Sequence, residues 1–430
     1  MTGACLLAAE NSDLKRQIEL LQQQNATLQR QVRQQQSLIE TLTQRVSEIE
    51  RGGAKSARIS KDLGEERTDR VTAGMLGGVN LGKLRISGEG AVAFFDSQSK
   101  GIFPNSEFRV DEAKLFVEAP IWDDVYFFSE LNLATREYDD LDLRLGEVYV
   151  DFENVSKLWN RDRMLSVRAG RLDIPFGEEY LSRDAIDNPL VSHSLVDFWG
   201  VDEGIELFGS AGKVSYVVAV QNGGVPGGRD FDSDKSVAGR LSFDPTRWLH
   251  LSVSGMRTGN LAAAEDKDDL SELWFGNGWF RSIGSPDTTT FGANLVEGDI
   301  AVRWPRGHIK AFGGYASYDD NDPAGDNGRD IFFYSVEGVQ NVTRKFYAAS
   351  RFSQIMADKG YPISGHGRMG KYFFGPFFTE DIWRLSLGLG YRLSENLLIK
   401  AEYTIDRGTE VSGKRRTDEN MFAIEAAMKF

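Results

Sequence analysis

Hydrophobic positions along this chain keep two different periods, and the change from one to the other divides the molecule. From Leu14 to Ile49 the period is seven: Ile18, Asn25, Val32, Ile39 and Val46 hold one heptad position, and Leu14, Leu21, Leu28, Gln35, Leu42 and Ile49 the other. A seam of that spacing stays on one side of a helix, which predicts an α-helical coiled coil over residues 11–51. Its flanking positions are mostly Gln, so self-association is expected. β-Branched residues with Leu and the central Asn25 favour two strands, while an attached domain can impose three. Gly52-Gly53 ends the helix, and residues 52–82 form a polar linker.

Beyond the linker the period is two. Trp383, Leu385, Leu387, Leu389 and Tyr391 alternate with Arg384, Ser386, Gly388, Gly390 and Arg392; Leu397, Ile399, Ala401, Tyr403 and Ile405 alternate with Lys400, Glu402, Thr404 and Asp406. Segments of this kind recur about sixteen times between residues 83 and 430, among them 163–171, 202–210 and 296–304. Short turns at 119–123, 210–212, 244–246, 305–307 and 394–396 alternate with long polar loops at 172–201, 223–234, 259–295, 319–330, 355–380 and 408–418. The pattern predicts an all-β fold, a transmembrane antiparallel barrel over residues 83–430 with apolar side chains facing lipid and polar ones facing a lumen. Trp122, Trp248 and Trp304 at the short turns suit an interfacial girdle. Both barrel ends then face the periplasm, with the coiled coil.

Composition narrows the classes. The chain has 430 residues, 64 acidic and 50 basic, a net charge of -14 that disfavours a nucleic-acid partner. A single cysteine, Cys5, excludes a disulfide framework and a multi-thiolate metal site. No run of apolar residues is long enough for a membrane-spanning helix, which leaves a barrel open because barrel strands average out as hydrophilic. Residues 1–10 read as the remnant of an export signal or a disordered start.

Three segments carry a family resemblance. Gly170-Arg171-Leu172-Asp173-Ile174-Pro175-Phe176-Gly177 ends a strand in a Gly-Arg pair and turns at Pro-Phe-Gly; Asp202-Glu203-Gly204-Ile205-Glu206-Leu207 re-enters; Val220-Gln221-Asn222-Gly223 ends the next strand. With the terminal Phe430, similar to the signal read by the outer-membrane assembly machinery, the chain resembles the phosphate-selective porin family in its broad sense. That resemblance implies a sixteen-stranded, usually trimeric outer-membrane channel whose third long loop, residues 172–201 here, folds inward as a constriction. Members selecting phosphate rely on clustered Lys and Arg. This segment instead holds Asp173, Glu178, Glu179, Asp184, Asp187 and Asp197 against Arg183 alone.

Strand parity points Arg85, Arg136, Arg168, Arg240, Arg303, Arg351, Arg384 and Arg392 into the lumen, with Glu89, Lys114, Glu118 and Glu130. Two readings stay open: a basic wall opposing an acidic loop across a polarised pore, or charges that neutralise one another in a wet interior. Loop aromatics, Trp274, Phe275 and Trp279 or Tyr372, Phe373, Phe374, Phe377 and Phe378, would stack on sugar rings or pack a loop on the barrel mouth. No catalytic residue, cofactor or metal is expected. His193, His250, His308 and His366 are scattered, and His193 beside Ser192 and Ser194 is the sole hydrolase-like juxtaposition. The acidic run 319–328 lacks the terminal bidentate Glu of a calcium loop. The expectation is therefore a porin for small hydrophilic solutes. The rivals are a barrel anchor tethered to the cell wall by its coiled coil and, more remotely, a barrel hydrolase.

Overall fold

Alternation decides the architecture, because a strand with one apolar and one polar face needs lipid or a core on the first and water or paired charge on the second. In the computed structural model, residues 84–134, 143–224, 230, 232–262, 287–323, 325–360 and 379–430 are described in full, with the backbone alone at 79–81, 273–275, 278–280 and 363–364. The expected coiled coil at 11–51, the segment 1–10, nearly all of linker 52–82, Arg136, His366, the side chains of Trp274, Phe275 and Trp279, and the aromatics at 372–378 lie outside these residues.

Sixteen strands form the wall: β1 Leu84–Ser97, β2 Glu107–Trp122, β3 Val125–Ala134, β4 Arg144–Phe152, β5 Ser166–Asp173, β6 Phe198–Ala211, β7 Val214–Gln221, β8 Ser236–Thr246, β9 Leu249–Arg257, β10 Thr290–Trp304, β11 Gly307–Asp320, β12 Arg329–Asn341, β13 Phe346–Ala357, β14 Thr379–Ser394, β15 Leu397–Glu410 and β16 Met421–Lys429. Each pairs antiparallel with the next, and β16 pairs with β1 from Glu89↔Lys429 to Ser97↔Met421, closing the sheet so that no edge is left. Phe430 completes the seam: its N–H donates to the Gly88 carbonyl at 2.8 Å, and the Gly88 N–H donates back at 3.0 Å. Leu387, Leu389 and Tyr391 are about half exposed on the outer face, while Arg384, Ser386, Lys400, Glu402 and Asp406 are buried inside. Trp122, Trp248 and Trp304 are exposed at the short-turn end, where the girdle is expected.

Among the boundaries that differ from the sequence expectation, those of β6 and β10 share a reason, and β5 ends beside them. Strands β5, β6 and β10 run 166–173, 198–211 and 290–304, longer toward the long-loop end than 163–171, 202–210 and 296–304. There the inward residues Phe198, Phe291, Ala293 and Leu295 are apolar and buried. They pack on a loop rather than face water, so the alternation that marks a strand disappears. The loop between β5 and β6 accordingly spans 174–197, shorter than 172–201. The β4–β5 connection carries a short 3-10 turn at Val155–Trp159.

Candidate functional site

The segment joining β5 to β6 is the most deeply packed connection among the described residues. Leu190, Val191, Ser194, Leu195, Val196 and Asp197 are all essentially buried. Their apolar partners lie on walls far apart in the sheet: Ile174, Phe176, Leu195 and Val196 pack with Met256, Phe291, Leu295 and Ile355, whereas Ile186 and Leu190 pack with Ala91, Tyr347, Leu398 and Ala427. Val191 joins Ala93, Phe95 and Phe103. A loop rooted on β5 and β6 that touches β1, β13, β15 and β16 crosses the barrel interior.

Its root is set by Gly177, whose φ of +65° lies in the left-handed region and whose added Cβ would fall 2.5 Å from Glu297 Oε1. Only glycine fits there without displacement. Next to it, the Arg240 guanidinium donates to the Gly177 carbonyl and, at 3.2 Å, to the Tyr180 hydroxyl. Glu178 meets His250 Nε2 at 2.7 Å and Arg240 Nε at 3.8 Å. Burial opposes charge on Glu178, but the His250 hydrogen bond and the Arg240 charge outweigh it and hold its pKa down to about 2.

Across the interior the loop is pinned by backbone groups. Lys400 Nζ donates to the carbonyls of Ala185 at 2.7 Å, Asn188 at 3.0 Å and Leu190 at 2.7 Å, and pairs with Glu425 at 2.9 Å. Ser192 gives its N–H and its hydroxyl to Glu402. Arg351 donates to the Ser192 carbonyl at 2.8 Å and the Asn188 side chain at 2.9 Å, and Ser353 Oγ accepts the Leu195 N–H at 3.0 Å. On β2, Glu112 accepts the Ala185 N–H at 2.8 Å and Lys114 meets Asp184 at 2.7 Å. These satisfy loop groups that would otherwise be stranded away from water.

Within the loop, Arg183 and His193 converge on Asp197 at 2.9 and 3.1 Å, and Arg183 lies over the Trp199 ring at 4.7 Å. Burial works against the Asp197 charge, yet Arg183 and His193 hold its carboxyl well below the usual range. Glu179 accepts the Ser194 N–H and hydroxyl. Here burial prevails and lifts the pKa to about 7. Ser192 and Ser194 thus spend their hydroxyls on carboxylates of the anchor.

The inward arginines pair across neighbouring strands: Arg85 with Glu118 at 3.6 Å, Arg168 with Asp151 at 2.9 Å and Glu206 at 3.2 Å, Arg351 with Glu337 at 2.9 Å, and Arg384 with Asp406 through two bonds of 2.8 Å. Arg303 and Arg392 are half-buried, Asp173 is half-buried at the end of β5, and Asp187 is exposed on the loop. Glu89, Glu112 and Asp184 bring carboxylate oxygens within 4.8 Å of one another, but Lys114 Nζ sits among them at 3.3, 2.6 and 2.7 Å and already supplies the cation. Lys400, Glu402 and Glu425 were visible in the sequence only as polar members of alternating strands. Nothing local marks them as loop anchors, since their partners lie 210 or more residues away for Lys400 and Ser192.

No family model matches the chain, and no curated protein matches it in sequence. Solved structures do. The chain is similar to outer-membrane expressed OmpT of Vibrio cholerae, at 12% identity and a TM-score of 0.53 over 82% of this chain and 100% of that one. It is similar to an anion-selective porin from Comamonas acidovorans, at 9% identity and a TM-score of 0.52 over 80% and 98%. It is similar also to Salmonella typhi OmpF in complex with daunomycin, at 10% identity and a TM-score of 0.50 over 82% and 100%. At such identities the likeness establishes the fold: a closed sixteen-stranded antiparallel barrel of the kind outer-membrane porins have.

Proposed function

We propose that the protein is an outer-membrane porin, a passive diffusion channel for small hydrophilic solutes or ions, in which residues 174–197 act as the constriction. The observation that carries this reading is the loop pinned to the opposite wall by Lys400, Glu402 and Arg351. A segment held inside a closed barrel narrows whatever path the barrel offers. The apolar outer face supports residence among lipids, and the paired interior charges support a wet path without a strong field of one sign. No step of passive diffusion calls for a catalytic residue, a cofactor or a metal. Liposome swelling tests the proposal: vesicles carrying the protein should admit pentoses and small amino acids quickly and disaccharides far more slowly. Vesicles that stay sealed to every solute, with the barrel folded, would overturn it.

Ion preference then depends on few groups. Six acids against Arg183 favour cations, and of these six Asp187 is the one exposed, so Asp187 is the acid best placed to meet a permeating ion. Asp187→Asn should move the reversal potential toward anions at low salt, an effect that screening removes at high salt; an unchanged potential would discount that residue. The heptad repeat at 11–51 favours self-association, the porin likeness makes a trimer the expected form, and the alternative reading is a barrel anchor whose coiled coil contacts the cell wall. Barrel conductance in a variant lacking residues 11–51, against its retention in wall-bound fractions, separates channel from tether.

A further inference from the structure

Lumen-facing strand positions in a water-filled barrel are ordinarily polar. Apart from the wall residues that receive the loop, one further stretch departs from that. On five consecutive strands, β2 to β6, inward positions carry Phe116, Phe128, Tyr149, Arg168 and Phe208. Their π faces meet in order: Phe116 and Phe128 lie 6.0 Å apart between ring centroids at 23°, Phe128 and Tyr149 5.0 Å apart at 25°, and the Arg168 guanidinium stands 4.6 Å from both the Tyr149 and the Phe208 rings. The row faces inward, since Phe128 is registered opposite Glu118 and Tyr149, and Arg168 opposite Asp151 and Glu206, while Ile205 and Leu207 of β6 are exposed outside. Phe116, Phe128 and Phe208 are half-buried and Tyr149 is buried between its neighbours at 8% exposure, and none of the three apolar clusters that hold the loop includes any member of the row. It therefore does something other than anchor the loop.

Gly170 makes the row continuous. It is registered opposite Tyr149, and a Cβ added to it would lie 2.7 Å from the Tyr149 Cα and 2.2 Å from the Val148 carbonyl. Without a side chain there, the Tyr149 ring reaches Arg168. Beside the rings stand acceptors: Glu130 opposite Phe116, Glu118 opposite Phe128, and Asp151 and Glu206 on either side of Arg168.

We infer that this row is a binding track for neutral hydroxylated ring solutes, mono- and oligosaccharides, on the wall of the channel. A pyranose ring offers an apolar C–H face for the half-exposed surface of Phe116, Phe128 and Phe208, and a rim of O–H donors for the neighbouring carboxylates. Four carboxylates against Arg85 and Arg168 disfavour an anionic aromatic solute. Arg168 within the stack disfavours an aromatic cation at its centre. The track deepens the channel reading and rests on it, since a solute sliding over successive weak sites crosses faster than one held at a single strong site.

The test uses the full chain in planar bilayers with maltohexaose as probe, polyethylene glycol of equal mass as a ringless control and benzyltrimethylammonium as the aromatic cation. Maltohexaose should interrupt the current in resolved events, and Phe116→Leu with Phe128→Leu, which keeps apolar volume but removes two half-exposed rings, should raise its half-blocking concentration at least about fivefold. The block by polyethylene glycol should not change. Equal block by the two polymers, block unaffected by the double variant, or stronger block by benzyltrimethylammonium would overturn the proposal. Calorimetric titration of maltohexaose into the detergent-solubilised protein, parent and double variant, reads the same track without current. Heat of binding lost in the variant supports the track even if the barrel proves silent, which would overturn the channel alone; no binding in the parent overturns the track.

Discussion

Lys400 shows how one residue holds an element in place. Its ammonium is fully buried, satisfied by three loop carbonyls and by Glu425, which is itself buried. Removing one partner of a buried pair leaves the other uncompensated and costs roughly 3–5 kcal/mol. Lys400→Met should therefore lower thermal stability and make the open current noisier and larger as the loop loses its grip. Adding Glu425→Gln should restore much of the stability but not the quiet current. A quiet parent-like current in the single variant would show that the loop is held by other contacts. Glu179 makes the loop sensitive to pH. Its carboxyl titrates near 4.5 when unfolded but at about 7 in the folded loop because it is buried. Between those values the folded form keeps a proton that the unfolded form has lost, so the loop's stability falls as pH rises through that window. Glu178, held down to about 2, contributes its stability in full above about 4.5 and loses it as pH falls from there through 2, so it is constant over the range in which Glu179 titrates. Loop cleavage by protease in the folded protein should be slower at pH 5.5 than at pH 8, and Glu179→Gln should flatten that difference. Cleavage that speeds up toward acid would reverse the assignment.

At the scale of elements, the strands were legible and the loop's destination was not. Sixteen segments of alternating residues anticipate the sixteen strands because each strand meets lipid on one side and polar lumen on the other, a local constraint written into every second residue. Legibility failed at the tops of β6 and β10, where inward Phe198, Phe291 and Leu295 answer to the loop instead of water. Apolar Leu190, Val191, Leu195 and Val196 stand in plain view in the loop sequence, yet the residues that receive them are brought near only by closure of the sheet. The same limit applies to the candidate site. Parity puts the wall arginines on the polar side of each alternating strand, but the carboxylates they meet depend on register, which the alternation alone does not fix. Register has its own checkpoint at Gly170, whose φ of +142° and close approach to β4 exclude a side chain. Gly170→Val should cost about 1–3 kcal/mol or more and lower the temperature at which the folded barrel unfolds on heated gels; a parent-like transition would mean the backbone relaxes freely there.

The whole molecule depends on closing the ring and on what lies inside it. Closure ends at Phe430, whose two backbone bonds to Gly88 and ring packed over the same glycine finish the β16–β1 seam. A chain lacking Phe430 should be exported normally but inserted into the membrane poorly, read as the folded fraction in outer-membrane preparations; full assembly would show that the seam tolerates its loss. Inside the ring, the loop is the only described connection held by charged residues of the far wall, and the account stands on its narrowing a path that conducts. Single-channel recording of the purified protein, beside a variant with the loop shortened between Gly177 and Val196, measures that directly. The parent should open in uniform, ohmic steps, and the shortened loop should give clearly larger steps at the same salt. A folded parent that never conducts, or steps of equal size with and without the loop, would contradict it.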